Sequence, residues 1–218
     1  VFYDVGKAAL RVGLASALTL TCALTAQAAP AAKPAVYDNA AVILKTFPAD
    51  VQLVKDGVRL RLRNGNWIDI DASINPFGKA APVICWYAPA LHVAAVCMKA
   101  PGVTLAMMVD LRNGRRLSAP GRVALTPDPT LLEIGPNDPH KAPADSLTLV
   151  RITPTEMLEE GGAEFSGNYG PGVWVDAQCY RLIPYGPGPS GWLEKTPKEW
   201  RQVSATQSMV CQKRHGGR

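Results

Sequence analysis

Between His92 and Ile152 the chain is a succession of apolar runs, each too short for a stable helix and each bounded by turn residues. His92-Val93-Ala94-Ala95-Val96-Cys97-Met98 and Val103-Thr104-Leu105-Ala106-Met107-Met108-Val109 come first, followed by the turn Asp110-Leu111-Arg112-Asn113-Gly114. A third run lies near Val123-Ala124-Leu125. Thr126-Pro127-Asp128-Pro129 turns the chain into a fourth, Leu131-Leu132-Glu133-Ile134, and Leu147 to Ile152 is the fifth. Such runs, punctuated by Gly, Pro, Asn and Asp, predict consecutive antiparallel strands. Val103 to Val109 has almost no polar alternation, which predicts a strand covered on both faces, with Met107 and Met108 as core filler.

Val58 to Asp71 predicts a hairpin. Val58, Leu60 and Leu62 alternate with Arg59, Arg61 and Arg63, and after Asn64-Gly65-Asn66, Ile68 and Ile70 alternate with Asp69 and Asp71. A two-residue loop at Asn64-Gly65 mixes the faces. A three-residue loop, Asn64 to Asn66, sets Leu62 opposite Ile68, Leu60 opposite Ile70, Arg61 opposite Asp69 and Arg59 opposite Asp71, and is the expected register. Asp69 and Asp71 read as paired surface charges rather than calcium ligands, because no further carboxylates follow at loop spacing.

Val83 to Met98, interrupted by Pro89, predicts two strands joined near Ala88 to His92. An odd loop centred on Leu91 sets Cys85 directly opposite Cys97, at about the separation a disulfide needs. Cys179 and Cys211 are then left to pair with each other. The sequence has five cysteines, of which four lie beyond the first 28 residues; an even count in an exported chain suits disulfides, and no C-x-x-C spacing supports zinc or thiol redox chemistry. Both Cys85 and Cys97 lie in apolar strand patterns, not in the electropositive opening that activates a thiol, so a cysteine hydrolase using His92 is disfavoured.

Export follows from the first 28 residues. Lys7 and Arg11 precede the apolar run Val12 to Ala23, which is too short to span a bilayer, and Ala26-Gln27-Ala28 is a small-x-small cleavage site. This is the pattern of a secretory signal peptide, with the mature chain beginning at Ala29. Cys22 lacks the Leu and small residue of a lipobox, since Thr19 and Thr21 stand there. No later stretch reaches the ~20 apolar residues of a membrane helix. The expected organisation is a signal peptide over 1–28, an Ala/Pro-rich linker over 29–40, a single all-β domain over 41–205 and a basic tail over 206–218. Val36 to Phe47 suits either a short helix or an entry strand.

Formal charge is +5, but Lys and Arg are scattered apart from Arg112 to Arg116 and Lys213 to His215. No basic face interleaved with aromatics predicts nucleic-acid binding. Gly135 to Ser146 is a long polar loop. Its Asp138, His140 and Asp145 lack an element to fix metal-ligand spacing, so no metal or cofactor is expected. Met157 to Gly162 reads as an acidic turn, and Val173 to Tyr180 as one strand. Tyr169, Trp174, Tyr185, Trp192 and Trp200 give the C-terminal part an aromatic bias. Thr196-Pro197-Lys198-Glu199 has the pattern of a helix start.

At Asp110-Leu111-Arg112-Asn113-Gly114 and Leu125-Thr126-Pro127-Asp128 the chain resembles the repeats of bacterial periplasmic β-propellers of the TolB/WD40-like type. There an Asp-Leu-x-x-Gly turn often ends a blade, and a strand near Ser-Pro-Asp-Gly begins the next. The resemblance covers His92 to Ile152. Where the family has Gly this chain has Pro129, held near φ of about −65°, so this turn differs from the family turn. At about 40–45 residues per blade, the mature chain supplies about four. The resemblance therefore implies a small or partial β-propeller-like stack of antiparallel hairpins, with a β-sandwich as the alternative.

None of the common nucleophile, zinc-protease, phosphate-loop or dinucleotide motifs is present. A hairpin-rich exported domain with long loops predicts a non-catalytic protein that binds another protein through rim loops. One form is an inhibitor or immunity protein against a secreted cell-wall hydrolase, by fold-level analogy. The expected contact residues are Arg115, Arg116 and Ser118, in the loop Arg115 to Pro120, and His140. Two alternatives stand beside this. One is an envelope hydrolase using His92 or His140 with Asp110 or Asp138. The other is a structural envelope component.

Overall fold

A computed structural model describes residues 33–76, 78, 80–100, 103–135, 146–164, 169–184, 186–204 and 210–211. The expected signal peptide and loop residues Asp138, His140 and Asp145 lie outside these. The described residues belong to one compact unit, Lys33–Arg218.

The chain is all-β and forms four antiparallel sheets in chain order. Helix α1 (Ala40–Thr46) precedes the first sheet, which comprises β1 (Val51–Val54), β2 (Gly57–Arg61) and β3 (Trp67–Asp71). The second contains β4 (Val83–Ala88), β5 (Val93–Ala100), β6 (Val103–Asp110) and β7 (Arg116–Pro120). The third contains β8 (Arg122–Leu125), β9 (Leu131–Gly135), β10 (Ser146–Ile152) and β11 (Met157–Glu164). The fourth contains β12 (Tyr169–Asp176), β13 (Cys179–Pro184), β14 (Gly191–Lys195) and β15 (Trp200–Ser204). Within each sheet every strand pairs with its sequence neighbour.

Successive sheets bury apolar layers between them. The first layer joins Val58, Leu60 and Ile70 to Ile84, Val96, Met98, Met107 and Val109, closed at one end by Ile43 of α1. The second joins Trp86, Val93, Ala95, Ala106 and Met108 to Leu132, Ile134, Val150 and Met157. Alternate residues of β5 and β6 thus enter different layers, which is why those strands carry no polar alternation. The third layer joins Leu131, Leu147 and Leu149 to Tyr180, Leu182, Leu193 and Trp200.

Val36 to Phe47 resolves into a helix entered by a bridge. Tyr37 exchanges backbone hydrogen bonds with Tyr87, at 2.8 and 2.9 Å. The Asn39 side chain then accepts from the N–H groups of Ala41 and Val42, capping α1. The expected linker is therefore ordered from Tyr37 onward.

The hairpin register differs from expectation. Leu60 faces Ile68, Arg59 faces Asp69, Arg61 faces Trp67 and Gly57 faces Asp71. The three-residue loop is Arg63 to Gly65, closed by a 2.8 Å bond from Leu62 N–H to Asn66 O. Gly65 takes φ 88, a left-handed position that Asn66 fills less readily, and this moves the loop by one residue. The pairing shifts by two, so the apolar and charged faces survive.

Four further expectations are corrected. Arg115 to Pro120 is a turn plus edge strand β7, not a loop; Pro120 sits where its missing N–H faces away from the sheet. Met157 to Gly162 is strand, because Glu160 is neutralised by Arg151 and Lys195. Val173 to Tyr180 is two strands around a turn at Ala177-Gln178. Thr196 caps a turn rather than a helix: its hydroxyl accepts from Lys198 and Glu199 N–H, and the chain returns as β15. The Asp110 and Thr126 turns both lie inside a sheet, joining β6 to β7 and β8 to β9, rather than between sheets.

Both expected disulfides form, Cys85–Cys97 and Cys179–Cys211. Cys85 is not directly opposite Cys97, however. Val83 takes that place, and Cys85 occupies a bulge between Ile84 and Trp86. The connection, Pro89 to His92, has four residues rather than an odd number, with His92 left-handed at φ 53, which moves the register off Leu91 before the bulge shifts it again. No helix among the described residues is long and apolar enough to cross a membrane. Since the bridges span 12 and 32 residues in sequence, removing Cys179–Cys211 is expected to cost more stability than removing Cys85–Cys97, each on the order of 2–4 kcal/mol. Urea midpoints of the paired Cys→Ser variants test that order, and equal or reversed losses contradict it.

Candidate functional site

The turn that leaves β6 is built around a buried salt bridge. Asp110 is fully buried, and its carboxylate accepts from Arg112 Nε at 2.7 Å and Nη2 at 2.9 Å. It also accepts from the N–H groups of Arg112 at 3.0 Å and Met157 at 2.9 Å. Arg112 Nη1 donates to the Thr153 carbonyl. Met157 begins β11 and Thr153 lies in the connection from β10 to β11, so the pair ties the second sheet to the third. Burial alone raises the Asp110 pKa; the Arg112 guanidinium and the two backbone donors outweigh it and hold the group below its ordinary value.

The same turn meets the first sheet. Arg63 N–H donates to Leu111 O at 2.7 Å, and Gly114, at φ 78, lies against Leu62. Asp110 N–H then bonds Arg115 O at 2.9 Å, which starts the β6–β7 ladder and turns Arg115 and Arg116 outward. Arg115 pairs with Glu156 at 3.1 Å, both about half exposed. Arg116 reaches the opposite way, its Nη2 donating to the Asp69 carbonyl at 3.5 Å. Arg116, Ser118 and Pro120 share the exposed side of β7, while Leu117 and Ala119 enter the second apolar layer.

Beside Asp69 stands Trp67, 37% exposed on an otherwise charged face. Arg61 is its cross-strand neighbour. Arg59 holds Asp69 in a two-bond pair at 2.6 and 2.9 Å, which lowers the Asp69 pKa. Asp71, expected opposite an arginine, instead accepts from the hydroxyl and N–H of Ser73, and these hold its pKa low. Of the four expected contact residues, Arg116 and Ser118 share the exposed side of β7, with Arg116 reaching the edge strand that carries Trp67, while Arg115 turns toward Glu156; His140 lies outside the described residues.

Sequence reading passed over Trp67 and Arg61. The signal was present: the alternation that puts Leu60 and Ile68 inward puts Arg61 and Trp67 outward, and an indole on a charged face is the exception that marks a contact surface.

Of the groups considered for catalysis, His92 and Asp110 are among the described residues, and His140 and Asp138 lie outside them. His92 ends the turn between β4 and β5, its carbonyl accepting from Leu111 N–H at 2.8 Å. Asp110 is committed to Arg112 and Met157, which leaves no carboxylate oxygen for a general-base role. Among the described carboxylates, Glu133 is the one whose pKa is raised on balance, by burial; the Trp174 indole N–H donates to it, and it faces the aromatic group Trp174, Tyr180 and Trp200 between the third and fourth sheets. No cluster of His, Cys, Asp and Glu among the described residues has metal-binding geometry.

Replacing Asp110 by Asn is expected to cost about 3 kcal/mol, because it strands a buried guanidinium. The wild-type carboxylate has a lowered folded-state pKa. Its contribution is therefore complete above the unfolded value and is lost as pH falls below about 4. Urea unfolding of both proteins across pH measures this: the difference between them is expected to shrink in acid, and a constant difference contradicts the assignment. Comparison with known proteins finds no matching family model, no matching curated protein and no matching solved structure.

Proposed function

We propose that this chain is an exported, non-catalytic binding protein that holds another protein against the face formed by Trp67, Arg115, Arg116 and Ser118. The observation that carries the reading is the contact of Arg116 with the Asp69 carbonyl. It brings an exposed arginine of the second sheet to the edge strand of the first that carries the exposed Trp67. Tryptophan and arginine are the residue types in which binding energy concentrates. Two disulfides support an oxidising compartment, the periplasm or outside the cell. The four meander sheets, packed in chain order, support a partial-propeller reading of the architecture. A cell-wall hydrolase is the partner class proposed first.

Affinity capture from periplasmic extract supplies the partner, and the captured protein is then titrated against variants. Replacing Arg115, Arg116 and Ser118 together by Ala is expected to weaken binding by about 2 kcal/mol, or roughly 30-fold in Kd. Unchanged affinity refutes this surface. Turnover of a wall substrate by the protein itself, lost in His92→Ala or His140→Ala, replaces the binding reading with the hydrolase one.

A further inference from the structure

Among the described residues, three of the sheets have four strands and the first has three. We propose that the open edge of β3 receives an extended, acidic segment of the partner protein, which joins the first sheet as its fourth strand. This rests on the binding reading above and specifies how the partner is held.

The register fixes which backbone groups are available. Leu62 N–H bonds Asn66 O, and at the other end of the pairing Ala72 N–H bonds Asp56 O at 3.0 Å. Bonded and non-bonded pairs alternate between these points. Leu60 with Ile68 and Val58 with Ile70 are therefore the bonded pairs; Arg61 with Trp67 and Arg59 with Asp69 are not. The N–H and C=O groups of Ile68 and Ile70 face β2, while those of Trp67 and Asp69 point out of the sheet. The Asp69 carbonyl shows this direction, since it accepts from Arg116 across the gap. No strand among the described residues pairs with that edge.

The space beside the edge is shaped by the second sheet. The first apolar layer takes residues from β4, β5 and β6 but none from β7. The first sheet thus stops short of β7, leaving Arg116, Ser118 and Pro120 exposed. A strand added to β3 at the usual spacing of about 4.8 Å lies over these residues and takes the Asp69 carbonyl from Arg116, whose long 3.5 Å contact is exchanged for a main-chain bond. One row of its side chains faces Arg116 and Ser118; the other lies beside Trp67 and Arg61.

Charge selects the occupant. Arg59 and Arg115 are neutralised by Asp69 and Glu156. Among the described residues no carboxylate lies within ion-pair distance of Arg61 or Arg63; Arg116 has none at that distance either, though its charge acts on Asp71 at longer range. Main-chain pairing supplies affinity in such additions and alternate side chains supply selectivity, so the fitting segment alternates carboxylates with apolar residues.

Amide hydrogen exchange on the full exported chain tests this, with a short synthetic peptide alternating glutamate and valine as probe. In the free protein, Trp67 and Asp69 amides are expected to exchange fast and Ile68 and Ile70 amides slowly. Saturating peptide is expected to slow the first pair by about tenfold or more. A lysine-for-glutamate peptide and one N-methylated along its pairing edge are expected to bind at least about tenfold more weakly. Peptide binding without protection of Trp67 and Asp69, or no binding up to ~1 mM, overturns the proposal. So does slow exchange of these two amides in the free protein: with a dimer by ultracentrifugation a second copy fills the edge, and with a monomer the chain itself does. If a captured partner is lost by the arginine and serine variant yet leaves Trp67 and Asp69 unprotected, the binding reading stands and strand addition falls.

Discussion

A carboxylate buried at the end of β6 dictates much of what surrounds it. Asp110 has no exposure, so its charge is tolerable only with every acceptor position used, and four hydrogen bonds from Arg112 and Met157 use them. Those bonds fix the turn that follows, with Gly114 supplying the left-handed residue that closes it. The closed turn packs on Leu62, presents Leu111 O to the first sheet and grips the third sheet through Thr153 and Met157. Arg115 and Arg116 are consequently held at the junction of three sheets rather than on a free loop.

The next junction repeats the logic with different residues. Between the third and fourth sheets, Arg151 joins Asp128 and Glu160, and Lys195 of β14 joins Glu160 from the other side. Burial raises the Asp128 and Glu160 pKa values, but their cationic and hydroxyl partners bring both below the ordinary range. Each junction therefore has an apolar layer inside and a charge clamp at its margin. The two ends of the stack differ. The first sheet turns its charged face outward, while the outer face of the fourth gathers Trp192, Val175 and Val203 around the Cys179–Cys211 bridge.

The sequence made the inward-facing half of this structure legible. Alternation or its absence marked β2, β3, β5 and β6, and the same alternation kept the faces of the first hairpin correct although the loop moved by one residue. Cysteine parity and proximity marked both bridges. What stayed hidden depended on partners distant in the chain. β11 looked like an acidic turn because Arg151 and Lys195, which neutralise Glu160, are not its neighbours in sequence. β7 looked like a loop because an edge strand accepts Pro120 and polar side chains that a central strand does not. Arg115, Arg116 and Ser118 were legible as exposed polar residues, but Arg116 meets the β3 edge at Asp69, 47 positions away, only through the packing of the first sheet on the second.

The central claim is that these two sheets make one binding face. A double-mutant cycle between Trp67→Ala and Arg116→Ala, read as partner Kd, tests it most directly. Residues that share a partner across a desolvated contact are expected to show a coupling of about 0.5–3 kcal/mol. Each single variant should weaken binding, and the double variant should depart from their sum by that amount. Strict additivity, or a Trp67 variant that binds like wild type, contradicts a face assembled from both sheets.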